Sequence, residues 1–140
     1  MSEKLTRREI REAVFLLLFQ NELTGTSPEE LADTCSEAYE MVVTKEMINT
    51  ANAVIERYGE LDGIIGEYSE TREVSRISAV NKTILRLAIY EMTYSDRIPA
   101  PAAVNEAVEL SKKYAEKPDS AFINGILGNY IKRIGKDADR

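Results

Sequence analysis

Apolar residues recur along the chain at spacings of three and four, the period of an amphipathic helix, and we find no convincing alternation of strand type. The first such segment begins after Thr6, a predicted N-cap, and reaches about Asn21, where a Thr-Gly-Thr turn at 24–26 interrupts it. From Ala13 onward this segment is apolar on all sides, which indicates a helix that is buried all round. The pattern predicts helices over almost the whole chain.

The start of the second helix is marked by Ser27 at the N-cap, Pro28 at the first helical position and Glu30 at the capping-box position. This helix should run to about Met41. A third helix should run from Thr44 to Gly59, and a short helix capped by Asp62 should run through Tyr68. After a connection over 69–77 we expect a helix capped by Ser78, and then one with Pro101 in its first turn that runs to about Tyr114. The last helix is capped by Asp119 or Ser120 and runs to Gly135. We therefore expect an all-α protein of six or seven helices.

Composition limits the chemistry available to the chain. A length of 140 residues suits one domain with a single core, and Cys35 is the only cysteine, so no internal disulfide framework forms. Histidine, the commonest general base and metal ligand, is absent, and no glycine-rich phosphate loop occurs. We expect no enzyme activity, no catalytic residues, no cofactor and no metal.

The charges are distributed unevenly. The formal charge is −6, but residues 1–11 carry +2, residues 12–70 carry −11 and residues 71–140 carry +3. Lys4, Arg7, Arg8 and Arg11 share one helical face through their spacing of i, i+3, i+4 and i+7. This basic face indicates an anion-binding surface, because arginine contacts phosphate.

Phe15 and Phe19 continue the same face, and exposed aromatic rings there would stack on unpaired bases. Two alternatives stay open. Glu3 and Glu12 are spaced to pair with Arg7 and Arg8, which would make a solvated, ion-paired face, and Phe15 is better interpreted as a core residue. Arg86, between two leucines, is interpreted as a paired structural arginine.

Four segments carry a family resemblance that runs nearly from end to end. They are RREIREA at 7–13, ILRLAIYE at 84–91, VNEAVELSK at 104–112 and FINGIL at 122–127. In this order and at these separations they resemble the bacterial NusB family of transcription antitermination factors. The resemblance implies two small packed helical bundles, at about 4–68 and 78–135.

The resemblance also implies a function. NusB-like proteins pair with NusE, a small-subunit ribosomal protein, bind the single-stranded boxA RNA of ribosomal RNA operons, and act in the RNA polymerase antitermination complex. Carried over by position, the RNA-binding residues are Lys4, Arg7, Arg8, Arg11, Phe19, Tyr68 and Phe122. Asn81, next to the NusE-facing helix, and Phe122 are the implied partner-binding residues.

The rival hypothesis is a helical protein-protein adaptor or homodimerisation module that binds no RNA. In that case the apolar side of the first helix forms an interface and its arginines are ion-paired. The longest apolar run, Ala13 to Phe19, is too short to cross a bilayer and follows charges of both signs, unlike the start of a signal peptide. We expect a cytoplasmic protein without a membrane partner.

Overall fold

The computed structural model describes residues 4–70 and 72–138, with side chains described up to residue 135. These residues contain seven α-helices, one short 3₁₀ helix and no strand, as the hydrophobic pattern predicts. The helices are α1 (Arg7–Thr24), α2 (Pro28–Ala38), α3 (Lys45–Glu56), α4 (Tyr58–Tyr68), α5 (Ala79–Tyr94), α6 (Ala100–Tyr114) and α7 (Asp119–Ala138), and the 3₁₀ helix (Val74–Arg76) lies between α4 and α5.

Side-chain caps fix the starts of three helices. The Thr6 hydroxyl accepts the Glu9 N–H at 3.0 Å and the Glu9 carboxylate accepts the Thr6 N–H at 3.0 Å, which completes a capping box before α1. Ser27 caps α2 and Ser78 caps α5 in the same way, each accepting the N–H of the third residue after it. The predicted caps at Thr6, Ser27 and Ser78 are therefore confirmed.

The first compact unit ends at Glu56 and contains α1, α2 and α3. Helix α1 packs on both other helices and is buried continuously from Ala13 to Leu18, as its unbroken apolar run predicts. Phe15 is fully buried, so its interpretation as a core residue is confirmed. Cys35 is also buried, and this burial raises the pKa of its thiol.

The second compact unit begins at Arg57 and contains α4 to α7. Helix α5 packs against α4, α6 and α7 and is buried over most of its length. The largest fully buried side chains of this unit are Leu61, Ile65, Ile84, Leu85, Ile89, Ile123 and Leu127.

Several predicted boundaries are wrong, and the ends of α1, α2, α3 and α7 each differ from the prediction by about three residues. Helix α3 ends at Glu56 rather than Gly59, and α4 begins at Tyr58, so Asp62 is not a cap but lies inside α4. The Asp62 carboxylate instead accepts two hydrogen bonds from Arg86, at 2.7 and 2.8 Å, which confirms Arg86 as a paired structural arginine. At the start of α7, Asp119 is the first helical residue, and its carboxylate accepts the N–H of Glu116 at 3.1 Å.

The position of α4 also affects the division of the chain. The resemblance implies a first bundle at about 4–68, and in the structure the chain divides into its two compact units between Glu56 and Arg57. Helix α4 packs against α5, α7 and the 3₁₀ helix. The contacts with α5 and α7 join residues that are distant in sequence, so no local pattern around α4 could reveal them.

Candidate nucleic-acid interface

The first turn of α1 exposes basic side chains to solvent. Because the capping box ends the extended backbone at Thr6, Arg7 and Arg8 occupy the first two helical positions, and Lys4 lies in the extended segment just before them. All three basic side chains are exposed. The positive end of the helix dipole lies here as well, so the local electrostatics favour an anion.

Internal contacts accompany this exposure. Arg7, Arg8, Arg11 and Glu12 each take part in a non-covalent interaction within the protein, and Glu3, the expected partner of Arg7, lies outside the described residues. A guanidinium has five N–H donors, so an exposed arginine that keeps a neighbour still has donors for a phosphate.

Arg11 differs from the other members of the basic face because only 8% of its surface is exposed. It lies one turn before the fully buried Phe15, where α1 turns its face from solvent into the core. The spacing predicts that Arg11 shares a face with Arg7 and Arg8, but it does not reveal where along the helix the surface ends. Little of the Arg11 surface is therefore available for RNA.

Phe19 lies at the far end of the same stripe and is half-buried. Its ring is nearly parallel to that of Phe15, with centroids 5.9 Å apart and planes inclined by 3°. Such a pair is an offset stack that fixes the orientation of the Phe19 ring. The part of Phe19 that remains exposed is a preorganised apolar surface at the end of the basic face.

Two further candidate residues lie in the second unit, where each is paired with an arginine. Tyr68 is half-buried, contacts the Tyr130 ring edge-on at 5.8 Å, and accepts a hydrogen bond from Arg133 at 3.3 Å. Arg133 also donates to Glu67 at 2.8 Å. The hydrogen bonds to Tyr68 and Glu67 raise the pKa of Arg133, so it stays charged at any accessible pH.

Phe122 lies on the first turns of α7 and is half-buried. The guanidinium of Arg72 sits over its ring, 4.6 Å from the centroid, in a cation–π contact. Sequence reasoning missed both Arg72 and Arg133. Arg72 belongs to a polar connection far from Phe122 in sequence, so no helical periodicity links the two.

Asn81 is not positioned for a direct contact with a partner, because only 1% of its surface is exposed. Its backbone N–H bonds the Ser78 hydroxyl at 3.2 Å, and its side-chain Oδ1 is buried with no hydrogen-bond partner among the described residues. A buried orphan acceptor costs stability, about 1–3 kcal/mol. Asn81 is therefore buried in the first turn of α5, away from solvent.

The described residues lack two other kinds of feature. They contain no group of three or more His, Cys, Asp or Glu side chains arranged to hold a metal ion. None of the helices in this part of the chain is long and apolar enough to span a membrane. The groups suited to binding are the basic end of α1 and the arginine-aromatic pairs of the second unit.

Fold and surface together describe an all-helical protein with an exposed basic group at the start of α1 and arginine-aromatic pairs in its second unit. Residues 8–132 match the NusB family. The chain is 41% identical to the transcription antitermination protein NusB of Acetivibrio thermocellus, over 90% of this chain and 88% of that protein.

Solved structures agree with the sequence comparison. NusB of T. maritima matches with a TM-score of 0.77 and 31% identity, over 93% of each chain. A crystal structure of the antitermination factors NusB and NusE in complex with dsRNA matches with a TM-score of 0.77 and 25% identity, over 91% of this chain and 96% of that one. The chain belongs to the NusB family of transcription antitermination factors, so the resemblance and the expectation that it is not an enzyme are confirmed.

Proposed function

We propose that this chain pairs with NusE, binds the boxA RNA of ribosomal RNA operons, and joins the RNA polymerase antitermination complex in the cytoplasm. The observation that carries the proposal is the exposed cationic group Lys4, Arg7 and Arg8 at the start of α1. It stands in a chain whose next segment, 12–70, carries a charge of −11. RNA is attracted to the basic group and repelled by the acidic segment, so one surface is selected.

The basic residues and the aromatic residues have different roles in this proposal. Lys4, Arg7 and Arg8 bind the phosphate backbone and supply affinity that falls with salt. Phe19, Tyr68 and Phe122 stack on bases and supply the sequence preference. Because Arg11 is buried, we assign it a structural role in α1 rather than a phosphate contact.

The second unit strengthens the proposal through its arginine-aromatic pairs. A base that stacks on Phe122 would take the place of the Arg72 guanidinium, which is then released to bind the adjacent phosphate. The charge of residues 71–140, +3, favours this exchange. NusE would bind the same RNA strand at a second point and so raise the overall affinity without any additional RNA contact by this chain.

The matched complex supports both partners by family likeness, because it contains NusB, NusE and double-stranded RNA. We propose single-stranded boxA RNA for this chain, since its aromatic residues need unstacked bases. The adaptor and homodimer alternatives rest on α1, whose arginines also have interactions within the protein.

The test is binding of a boxA-like strand, a shuffled strand and the boxA-like duplex, each with and without NusE. We expect the boxA-like strand to bind more tightly than the other two, and NusE to raise that affinity further. Absence of binding to every strand at low salt would contradict RNA binding and favour the adaptor. Sedimentation of the protein alone decides whether it forms a homodimer.

A further inference from the structure

An ion pair on the surface of the second unit joins the end of α4 to α7. The guanidinium of Arg133 donates to the Glu67 carboxylate at 2.8 Å and to the Tyr68 hydroxyl at 3.3 Å. The Tyr68 ring packs edge-on against Tyr130, with centroids 5.8 Å apart. These contacts bring an arginine, a carboxylate and an aromatic ring together at one place, although Tyr68 and Arg133 are 65 positions apart in sequence.

The Glu67–Arg133 pair is open to solvent. The side chain of Arg133 is 51% exposed and that of Glu67 is 54% exposed. An exposed ion pair contributes little to stability, because water hydrates both charges when they separate. A guanidinium binds a phosphate through the same N–H donors that it gives to a carboxylate. A phosphate can therefore replace the Glu67 carboxylate at Arg133 with little effect on the fold.

An exposed face of α7 connects Arg133 to Phe122. Eleven positions separate the two residues, which is three helical turns, so both lie on one face about 16 Å apart along the helix axis. Gly125 and Asn129 lie between them on this face, and both are exposed. A Cβ at Gly125 would meet no atom within 4 Å, so no other part of the described chain covers α7 at this point. A single strand of a few nucleotides can lie along this face.

Charge along α7 also suits a nucleic-acid strand. Residues 120–135 contain Lys132 and Arg133 and no acidic residue. At the other end of the exposed face, the Arg72 guanidinium lies 4.6 Å from the centroid of the Phe122 ring. Each end of the face therefore carries an arginine beside an aromatic ring, which is the combination that binds a phosphate and the neighbouring base.

We propose that Arg133 is a phosphate-binding residue of the RNA site, and that Glu67 occupies its guanidinium until RNA binds. The inference rests on the proposed function, in which bases stack on Tyr68 and Phe122. A strand that follows α7 between these two rings brings a phosphate to Arg133, and the released Glu67 carboxylate turns to solvent. Glu67 is then an internal competitor that lowers the affinity for RNA.

The test measures how the full-length protein binds the boxA-like strand over a range of salt concentrations. Arg133→Ala should weaken binding and lower the slope of log K against log salt by about 0.7. Arg133→Lys keeps the charge and should retain most of that slope. Glu67→Gln should tighten binding about two- to fivefold, because no carboxylate then competes for the arginine. In the Arg133→Ala background, Glu67→Gln should have little further effect.

The matched control is Glu109→Gln in the same unit. It removes one negative charge from another exposed pair, in which Lys112 lies 3.4 Å from Glu109. This control should bind RNA as the parent protein does, because salt screens a change of one exposed charge outside the site.

If the parent protein binds the strand and Arg133→Ala binds it with equal affinity and slope, the proposal is overturned while the proposed function stands. Equal tightening by Glu67→Gln with and without Arg133 would also overturn it, since Glu67 would then repel RNA by its charge alone. Tightening of the same size in Glu109→Gln would lead to the same conclusion. Absence of binding by the parent protein at low salt would contradict the proposed function and this inference together.

Discussion

The Asp62–Arg86 ion pair is a partly buried polar interaction of the second unit. Arg86 donates to both oxygens of Asp62, at 2.7 and 2.8 Å, and its guanidinium lies 3.8 Å from the centroid of the Tyr58 ring. The side chain of Arg86 is 6% exposed and that of Asp62 is 30% exposed. Asp62→Ala would leave the arginine charge buried without this partner.

The expected cost follows from that burial. Removing one partner of a fully buried pair costs about 3–5 kcal/mol, because the remaining charge stays desolvated. Asp62 is partly solvated and the Tyr58 ring stays in place, so we expect a loss of about 2–3 kcal/mol in the free energy of unfolding. Asp62→Asn keeps one acceptor and should cost less.

Urea unfolding followed by circular dichroism measures this free energy. The matched control is Glu67→Ala, which breaks the Glu67–Arg133 pair at 2.8 Å in the same unit. Both side chains of that pair are more than half exposed, so the control should cost about 0–1 kcal/mol. A double variant, Asp62→Ala with Arg86→Met, removes the buried charge and should recover most of the loss.

Equal costs for Asp62→Ala and Glu67→Ala would refute the reasoning, because burial is the physical difference between the two pairs. A double variant less stable than Asp62→Ala alone would show that Arg86 contributes through packing rather than through its charge.

Three further predictions test other features. Glu40→Gly should raise the free energy of unfolding by about 0.5–1 kcal/mol. Glycine relieves the strain of the left-handed backbone conformation at this position, and this gain exceeds the entropy that glycine adds to the unfolded chain. An unchanged urea midpoint would contradict this. The hydrogen bond to Glu60 raises the pKa of Tyr94. The stability that this hydrogen bond contributes is therefore complete below about pH 10, and it is lost as the pH rises through the pKa of Tyr94 in the folded state. The stability difference between the parent and Tyr94→Phe should therefore shrink in alkaline urea titrations. Arg72→Ala should weaken RNA binding and lower its salt slope, and tighter binding would show that Arg72 only masks the Phe122 ring.

The sequence predicts what depends on neighbouring residues. The caps at Thr6, Ser27 and Ser78 are confirmed because a cap forms between residues three apart. The burial of Phe15 follows from an unbroken apolar run, which local periodicity also reveals.

Features that depend on residues distant in sequence cannot be predicted from local patterns. The role of Asp62 is set by Arg86, which lies on another helix. The contact of Arg72 with Phe122 likewise joins segments with no shared period. Burial of Arg11 shows that spacing assigns a residue to a face but not to the exposed part of that face.

The most direct test of the RNA proposal is the salt dependence of boxA-like RNA binding by Arg8→Ala, compared with Arg97→Ala as a control for loss of one exposed charge elsewhere. If Arg8 holds a phosphate, its replacement weakens binding and lowers the slope of log K against log salt by about 0.7. Arg97→Ala should leave the slope unchanged. Equal affinity and equal slope for Arg8→Ala and the parent protein would contradict RNA binding by the basic end of α1.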